Sequence, residues 1–246
     1  MSGHSKWATI KHKKGALDAK RGKLFTKIIR ELTIAARQGG GDPEMNPRLR
    51  TVILKAKAAN MPKDNMEKAI KKGTGDLEGV DYTELQYEAY APGGVGLIID
   101  TLTDNKNRTA ANIKSLLTKG GGQLAAQGAV SYQFNRKGLI TYNADEVDFD
   151  KLFEAALEAG AEDVSEESKI IEVTTEPSDF ANVLESLQGA GFEQIEAELS
   201  MVPDTTVELE HEKITKVLHL IDKIEDDDDV QSVASNLNIP DDYEMV

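Results

Sequence analysis

The sequence predicts an α+β protein of three domains: an N-terminal helical domain and two α/β domains, one ferredoxin-like (βαββαβ) and inserted into the other. Three observations predict it. Apolar residues in the first third recur at helical spacing between Gly and Pro stops. From Gly138 a strand, helix, strand, strand, helix, strand series is legible, which is the split-βαβ order. On either side of that series lie incomplete sets of elements that make a domain only when joined. The expected divisions are 1–75, then 82–134 together with 204–238, with 138–202 as the insertion.

The first helix is expected over 23–38, where Leu24, Ile28, Leu32 and Ala35 share a face and Phe25, Ile29 and Ala36 lie beside it. Gly39, Gly40 and Gly41 stop it. Asn46 and Pro47 read as N-cap and first residue of a second helix, with Leu49, Val52, Ile53 and Ala56 inward. Pro62 opens a third, with Met66, Ala69 and Ile70 on one face. Lys68, Lys71 and Lys72 fill its later part, where cations suit the helix dipole, and Gly73 closes it.

A Gly/Asp-rich linker occupies 74–81. Strands follow at 85–90 and 95–102, joined by a turn at Ala91, Pro92, Gly93 and Gly94. A helix carries Ala110, Ile113, Leu116 and Leu117 inward and ends at Gly120, and 129–134 reads as the next strand. The inserted series runs through a strand at 138–142, a helix at 148–159, strands at 163–165 and 170–174, a helix at 177–190 and a strand at 194–202. After Pro203 come a helix at about 210–225 and a strand at 230–234, which supply what the part before 134 lacks.

The charge is split along the chain. Residues 1–75 carry 18 Lys and Arg against 6 Asp and Glu, and residues 76–246 carry 11 against 37. The overall net of −14 therefore hides a front third of +12 before a body of −26. Such asymmetry points to a polyanion partner, since Lys and Arg that neutralise phosphates release condensed counterions. Cysteine is absent, which excludes disulfides, thiolate metal sites and a Cys nucleophile. The opening residues are polar and lack the apolar stretch of a secretion signal, and no run approaches a membrane span, so a cytoplasmic protein without a membrane partner is expected.

Lys6, Lys11, Lys13, Lys14, Lys20, Arg21 and Lys23 crowd one short segment opposed only by Asp18. This is a basic arm suited to gripping phosphates, with His4 and His12 adding to it. Trp7 either stacks on a base or packs on the helices that follow. Lys27, Arg30, Arg48, Arg50 and Lys55 extend the cationic surface onto the helices. In the acidic body, Asn105, Lys106, Asn107 and Arg108 gather at a helix N-terminus, read either as an anion site or as plain capping by Asn107.

No catalytic or metal constellation stands out. The glycines lack the GxxxxGK[ST] spacing of a P-loop. His211 and His219, eight residues apart, read as solvated or capping groups. The acidic run 226–229 lacks calcium-loop spacing and reads as a solvated turn, though its charge at a helix C-terminus leaves room for a cationic partner. The expectation is a protein that is not an enzyme, with no cofactor, no metal and no small-molecule substrate.

The stretches GHSKWATIKHKK, AKRGKLFTKIIREL, GGGDPEMNPRLR, ANMPKDNMEKAIKKG, YEAYAPGGVGLIID, LTDNKNRT, GGQLAAQGAVSYQF, AALEAGAEDV and IEDDDDVQSV, in this order, resemble the YebC/PmpR family. Its mitochondrial relatives include the translational activator of cytochrome c oxidase. The resemblance spans nearly the whole chain apart from the tail at 236–246. It implies a helical N-terminal domain and two α/β domains, one inserted in the other. It also implies one of two roles, neither enzymatic: a DNA-binding transcriptional regulator, or a translation factor that relieves stalling on proline-rich stretches. Of these the ribosome is the favoured partner, through ribosomal RNA and the tRNA-binding region, with duplex DNA as the alternative. RNA offers irregular loops on which a Lys/Arg arm can fold, and the −26 body repels flanking duplex phosphates.

Overall fold

The computed structural model of the protein describes residues 17–167, 169–240 and 243, with the backbone alone for 17–21. Three helices come first: α1 (Leu17–Gly39), α2 (Pro47–Ala58) and α3 (Lys63–Thr74). Ile28, Leu32, Ala35 and Ala36 of α1 pack on Leu49, Val52 and Ala56 of α2 and Ala69 of α3, with Phe25, Ile29, Met66 and Ile70 at the margin. Helix α1 starts six residues before the expected position 23. Ala19, Lys20, Arg21 and Lys23 are good helix formers, so propensity carries the helix beyond its buried face. Leu24, expected inward, is 40% exposed.

Asn46 joins α1 to α2. Its Oδ1 accepts from Leu49 N at 3.0 Å, while its Nδ2 donates to Ala35 O and Gly40 O, each at 2.8 Å. One buried amide thus satisfies orphan groups at the end of one helix and the start of the next. Gly73 does not close α3. The helix continues to Thr74 and is capped by left-handed Gly75 at φ 88°. Gly73 lies where α3 crosses α1, and a Cβ there would sit 2.3 Å from Thr33 O. Its small size serves close packing, not termination.

The first sheet contains β1 (Thr83–Tyr90), β2 (Gly96–Thr103), β3 (Gln123–Leu124) and β8 (Val230–Ser235) in the order β3-β1-β2-β8. All its pairings are antiparallel: Thr83 to Tyr90 run against Thr103 to Gly96, and β8 flanks β2 with a bulge at Asp100/Thr101. Helices α4 (Lys106–Lys119) and α7 (His211–Glu225) cover one face, burying Leu97, Ile99, Ile113, Leu117, Val217, Leu218 and Ile221 in one core.

The second sheet contains β4 (Phe134–Asn143), β5 (Asp163–Glu167), β6 (Ile170–Thr175) and β7 (Glu196–Pro203) in the antiparallel order β5-β6-β4-β7. With α5 (Phe149–Ala159) and α6 (Phe180–Gly189) this is the βαββαβ topology. Ile140, Tyr142, Leu152, Ile171, Phe180 and Leu184 form its core, and Leu54 of α2 packs against the same cluster. The chain leaves the first sheet after β3, builds the second, then returns through α7 to lay β8 beside β2. Ile98, Val130, Phe134 and Ala234, with Met201 against them, fill the seam between the sheets.

One expected strand is absent. The sequence predicts a strand over 129–134, but only Phe134 enters one, as the first residue of β4, and β3 takes the place beside β1. The Glu88 carboxylate captures the backbone N–H groups of Gly128, Val130 and Ser131. Those donors are therefore lost to a ladder, and the segment folds as a loop ending in a 3₁₀ turn at Ser131–Gln133.

Candidate nucleic-acid interface

Among the expected contact residues, Lys6, Trp7, Lys11, His12, Lys13 and Lys14 lie outside the described residues. Lys20 and Arg21 fall within the first two turns of α1. The next three cations point at one place, the turn between α7 and β8. Lys23 Nζ lies 3.2 Å from Asp226 O and 3.0 Å from its carboxylate. Lys27 Nζ donates to Glu225 O at 2.8 Å. Arg30 Nη1 donates to Asp228 O at 2.6 Å, to Leu102 O at 3.0 Å and to Asp229 Oδ1 at 2.8 Å, and its guanidinium stands 5.4 Å from the Tyr82 ring centre.

The physical reason lies in α7. A helix ends on unsatisfied carbonyls and a partial negative charge, and here a run of four aspartates follows directly. Cations from α1 supply both the donors and the opposite charge. The reading of 226–229 as a solvated turn is therefore corrected at Asp229, which is only 3% exposed. Its Oδ2 accepts from Arg108 Nη2 and from Thr109 Oγ1, each at 2.8 Å, and from Thr103 Oγ1 at 3.2 Å. Burial pushes this carboxyl up, but the hydrogen bonds from Arg108, Thr109 and Arg30 outweigh burial and hold it below its ordinary value. Asp227 completes the turn by accepting from Asp229 N at 2.9 Å and Asn112 Nδ2 at 3.1 Å.

The cluster at the start of α4 serves the same junction. Asn105, not Asn107, is the N-cap, and its Oδ1 accepts from Arg108 N at 3.1 Å. Arg108 spans Asp104 at 2.7 Å and Asp229, and these hydrogen bonds raise its pKa further. Lys106 and Asn107 are exposed. The alternative reading of this loop as an anion site thus loses Arg108 to an internal carboxylate but keeps Lys106.

On α2, Arg48 pairs with Glu84 and also donates to Gln38 Oε1 at 2.6 Å. Lys55 Nζ lies 3.1 Å from Glu31. Burial lowers the Lys55 pKa, but Glu31, together with Glu198 and Glu196, more than restores it, so the ammonium persists. Arg50 is half-buried, with its Nε unpartnered among the described residues.

Exposed cations remain beyond these pairs. Lys57, Lys68, Lys71 and Lys72 cover the outer side of α2 and α3. Helix α4 contains no acid and exposes Lys106, Lys114 and Lys119. These groups can meet phosphates without first breaking an internal contact. Of the two residues missed by sequence reasoning, Asp229 had a signal in the excess of carboxylates at a helix C-terminus, where the dipole demands cations. Glu88, whose partners lie some forty residues on, had none. Among the described residues no group of three or more His, Asp and Glu side chains could hold a metal, and no helix is long and apolar enough to cross a membrane.

Comparison with known proteins covers nearly all of the chain. The family model described as the TACO1/YebC protein N-terminal domain matches residues 5–76, and that of the TACO1/YebC second and third domain matches 82–237. A Treponema denticola protein titled "Probable transcriptional regulatory protein" is 62% identical over 245 residues, covering 100% of this chain and 99% of its own. A Geotalea uraniireducens protein of the same title is 57% identical over 239 residues, covering 97% and 96%. The crystal structure of a conserved hypothetical protein from Aquifex aeolicus superposes with a TM-score of 0.84 at 48% identity, covering 94% of this chain and 96% of that one. The chain belongs to the TACO1/YebC family.

Proposed function

We propose that the protein is a nucleic-acid-binding regulator of gene expression that works in the cytoplasm as a ribosome-associated translation factor. Its basic N-terminal third would grip ribosomal RNA, while the acidic sheets reach toward the tRNA-binding region. Relief of stalling, including on proline-rich stretches, would come from positioning the reactants and not from a side chain acting as nucleophile or base. The observation that carries this reading is the segregation of charge. Net positive charge is confined to residues 1–75, where Lys57, Lys68, Lys71 and Lys72 stay exposed, and the remainder is −26. An acidic body fits poorly along a uniform duplex but tolerates contact with a folded RNA surface at one end.

A second reading, DNA-binding transcriptional regulation, is favoured by one local feature and by the titles of the relatives. Helices α2 and α3 are joined by a four-residue turn, 59–62, in which Asn60 takes a left-handed φ of 55°. Such a turn is shared with helix-turn-helix units, and α3 bears exposed lysines. The deciding test is co-sedimentation with ribosomes at about physiological salt with excess duplex DNA as competitor. Retention on the ribosome supports the translation reading. Transfer to the DNA, with a footprint at defined promoters, would put the transcriptional reading in its place.

A further inference from the structure

Glu88 is a buried carboxylate, 6% exposed, that touches no cation among the described residues. Removing a charge from water without a counter-ion is costly unless hydrogen bonds replace the lost hydration. Four do so here, all from one loop. Gly128 N donates to Oε1 at 2.6 Å, Val130 N to Oε2 at 2.6 Å, Ser131 N to Oε2 at 2.9 Å and Ser131 Oγ to Oε1 at 3.0 Å. The adjoining Tyr90 hydroxyl donates to Ala129 O at 3.0 Å. Val130 is fully buried in the seam between the sheets, and Gln133 N closes the following turn on Val130 O at 3.1 Å.

This fixes a short loop from both sides, and what it holds outward is Tyr132. The side chain is 75% exposed, between anchored Ser131 and buried Phe134. Its ring and hydroxyl have no partner among the described residues. The preceding Ala126, Gln127 and Gly128 are also exposed, and a ring this open to water can receive a flat group by stacking. Arg136, exposed four residues further on, supplies a cation in the same stretch. A large aromatic ring kept in water on a pre-ordered turn contributes little to folding, but it loses little entropy on binding.

We propose that Tyr132 is a stacking platform for an unpaired RNA base, with Glu88 as the positioning residue that pre-orders its loop. The inference rests on the ribosomal RNA reading above and adds to it a second contact, on the body and remote from the basic third in sequence. A base suits the site because every base offers a flat face to stack on and needs no partner hydrogen bond. Stacking does not depend on the net charge of the body, which is negative.

The test measures binding to purified bacterial ribosomes for the full chain, Tyr132→Phe and Tyr132→Ala, and maps crosslinks from a photoreactive benzoylphenylalanine placed at 132. The side chain is exposed, so neither variant threatens folding. The Phe variant should bind like wild type, and the Ala variant should bind roughly 5- to 100-fold more weakly, the range expected for one lost stack. The crosslink should fall on RNA. Equal binding of wild type and Tyr132→Ala, or a crosslink confined to a ribosomal protein, overturns the inference while leaving the ribosomal reading in place. Failure of wild type itself to bind ribosomes removes both.

Discussion

Arg30 Nη1 lies 2.8 Å from Asp229 Oδ1, joining residues 199 positions apart. The pair ties the first helix of the basic third to the turn at the end of the acidic body. Both side chains are largely shielded, 14% and 4% exposed, so water screens the attraction weakly. Arg30 also takes up the carbonyls of Leu102 and Asp228, which makes it a strut across three segments. The chain thus uses part of its segregated charge on itself before any partner arrives.

Removing Asp229 should cost more than removing Arg30. Asp229→Ala leaves Arg30, Arg108 and the hydroxyls of Thr103 and Thr109 facing an emptied acceptor. A loss of about 3 kcal/mol is expected, as for other buried pairs broken on one side. Arg30→Ala leaves Asp229 still bonded to Arg108 and Thr109, and about 1–2 kcal/mol is expected. Urea unfolding of both variants and the double variant checks this. Equal costs would contradict this ranking, and additive ones would show that the two residues do not act as a unit.

Acid should unfold the protein partly through Asp229 and Glu88. In Glu88, burial pushes the carboxyl up, and the donors Gly128, Val130 and Ser131 bring it below its ordinary value. Asp229 is held low by its own donors. In the unfolded chain both titrate near about pH 4, so the folded state binds fewer protons there. Their contribution is therefore complete above about pH 5 and is lost as pH falls through the lowered folded values. Glu88→Gln should be less stable than wild type at neutral pH and lose less on acidification. Melting midpoints followed from about pH 7 to about pH 3 should converge for the two proteins, and parallel curves would argue against this role.

Both carboxylates also mark where the sequence stops being readable. The helical stripe through Ile28, Leu32 and Ala35 declares itself by spacing, and so does the βαββαβ series, because each element buries a face whose period is local. The segment 129–134 carries the apolar character of a strand, yet its fate depends on whether Val130 N and Ser131 N meet a neighbouring strand or the side chain of Glu88. The cations fare likewise. Lys23, Lys27 and Arg30 look alike to Lys68, Lys71 and Lys72 in sequence, but tertiary packing sets the first three on the end of α7 and leaves the others exposed.

That difference predicts opposite behaviour for two sets of lysines. Replacing Lys68, Lys71 and Lys72 together by alanine should leave stability within about 0.5 kcal/mol, as for exposed sites without partners. Affinity for a single-stranded RNA should fall, and the slope of log affinity against log salt should become shallower by about 2 if all three meet phosphates. Replacing Lys27 should lower the thermal midpoint, because Glu225 O loses its donor at the end of α7. Fluorescence anisotropy across a salt series, paired with thermal melts, separates the two effects. An unchanged slope in the triple variant would take α3 out of the interface.

A single substitution, glycine to alanine, should have opposite signs at two positions in this helical layer. At Gly22, within α1, a Cβ meets nothing within 4 Å. Alanine there should stabilise by about 0.5–1 kcal/mol, because glycine loses more backbone freedom in a helix. At Gly73 the added Cβ would stand 2.3 Å from Thr33 O and 2.7 Å from the Ala36 Cβ. Neither neighbour is a flexible side-chain tip, so α3 must move away from α1. A net loss of about 1–3 kcal/mol is expected from overpacking, despite the better helix propensity. The displacement would also shift the neighbouring lysines of α3. Gly73→Ala should therefore weaken polyanion binding without removing any charge, whereas Gly22→Ala should not. Thermal melts and RNA titrations of the two variants test the pair, and a neutral Gly73→Ala would mean that α1 and α3 are not held at the separation this glycine requires.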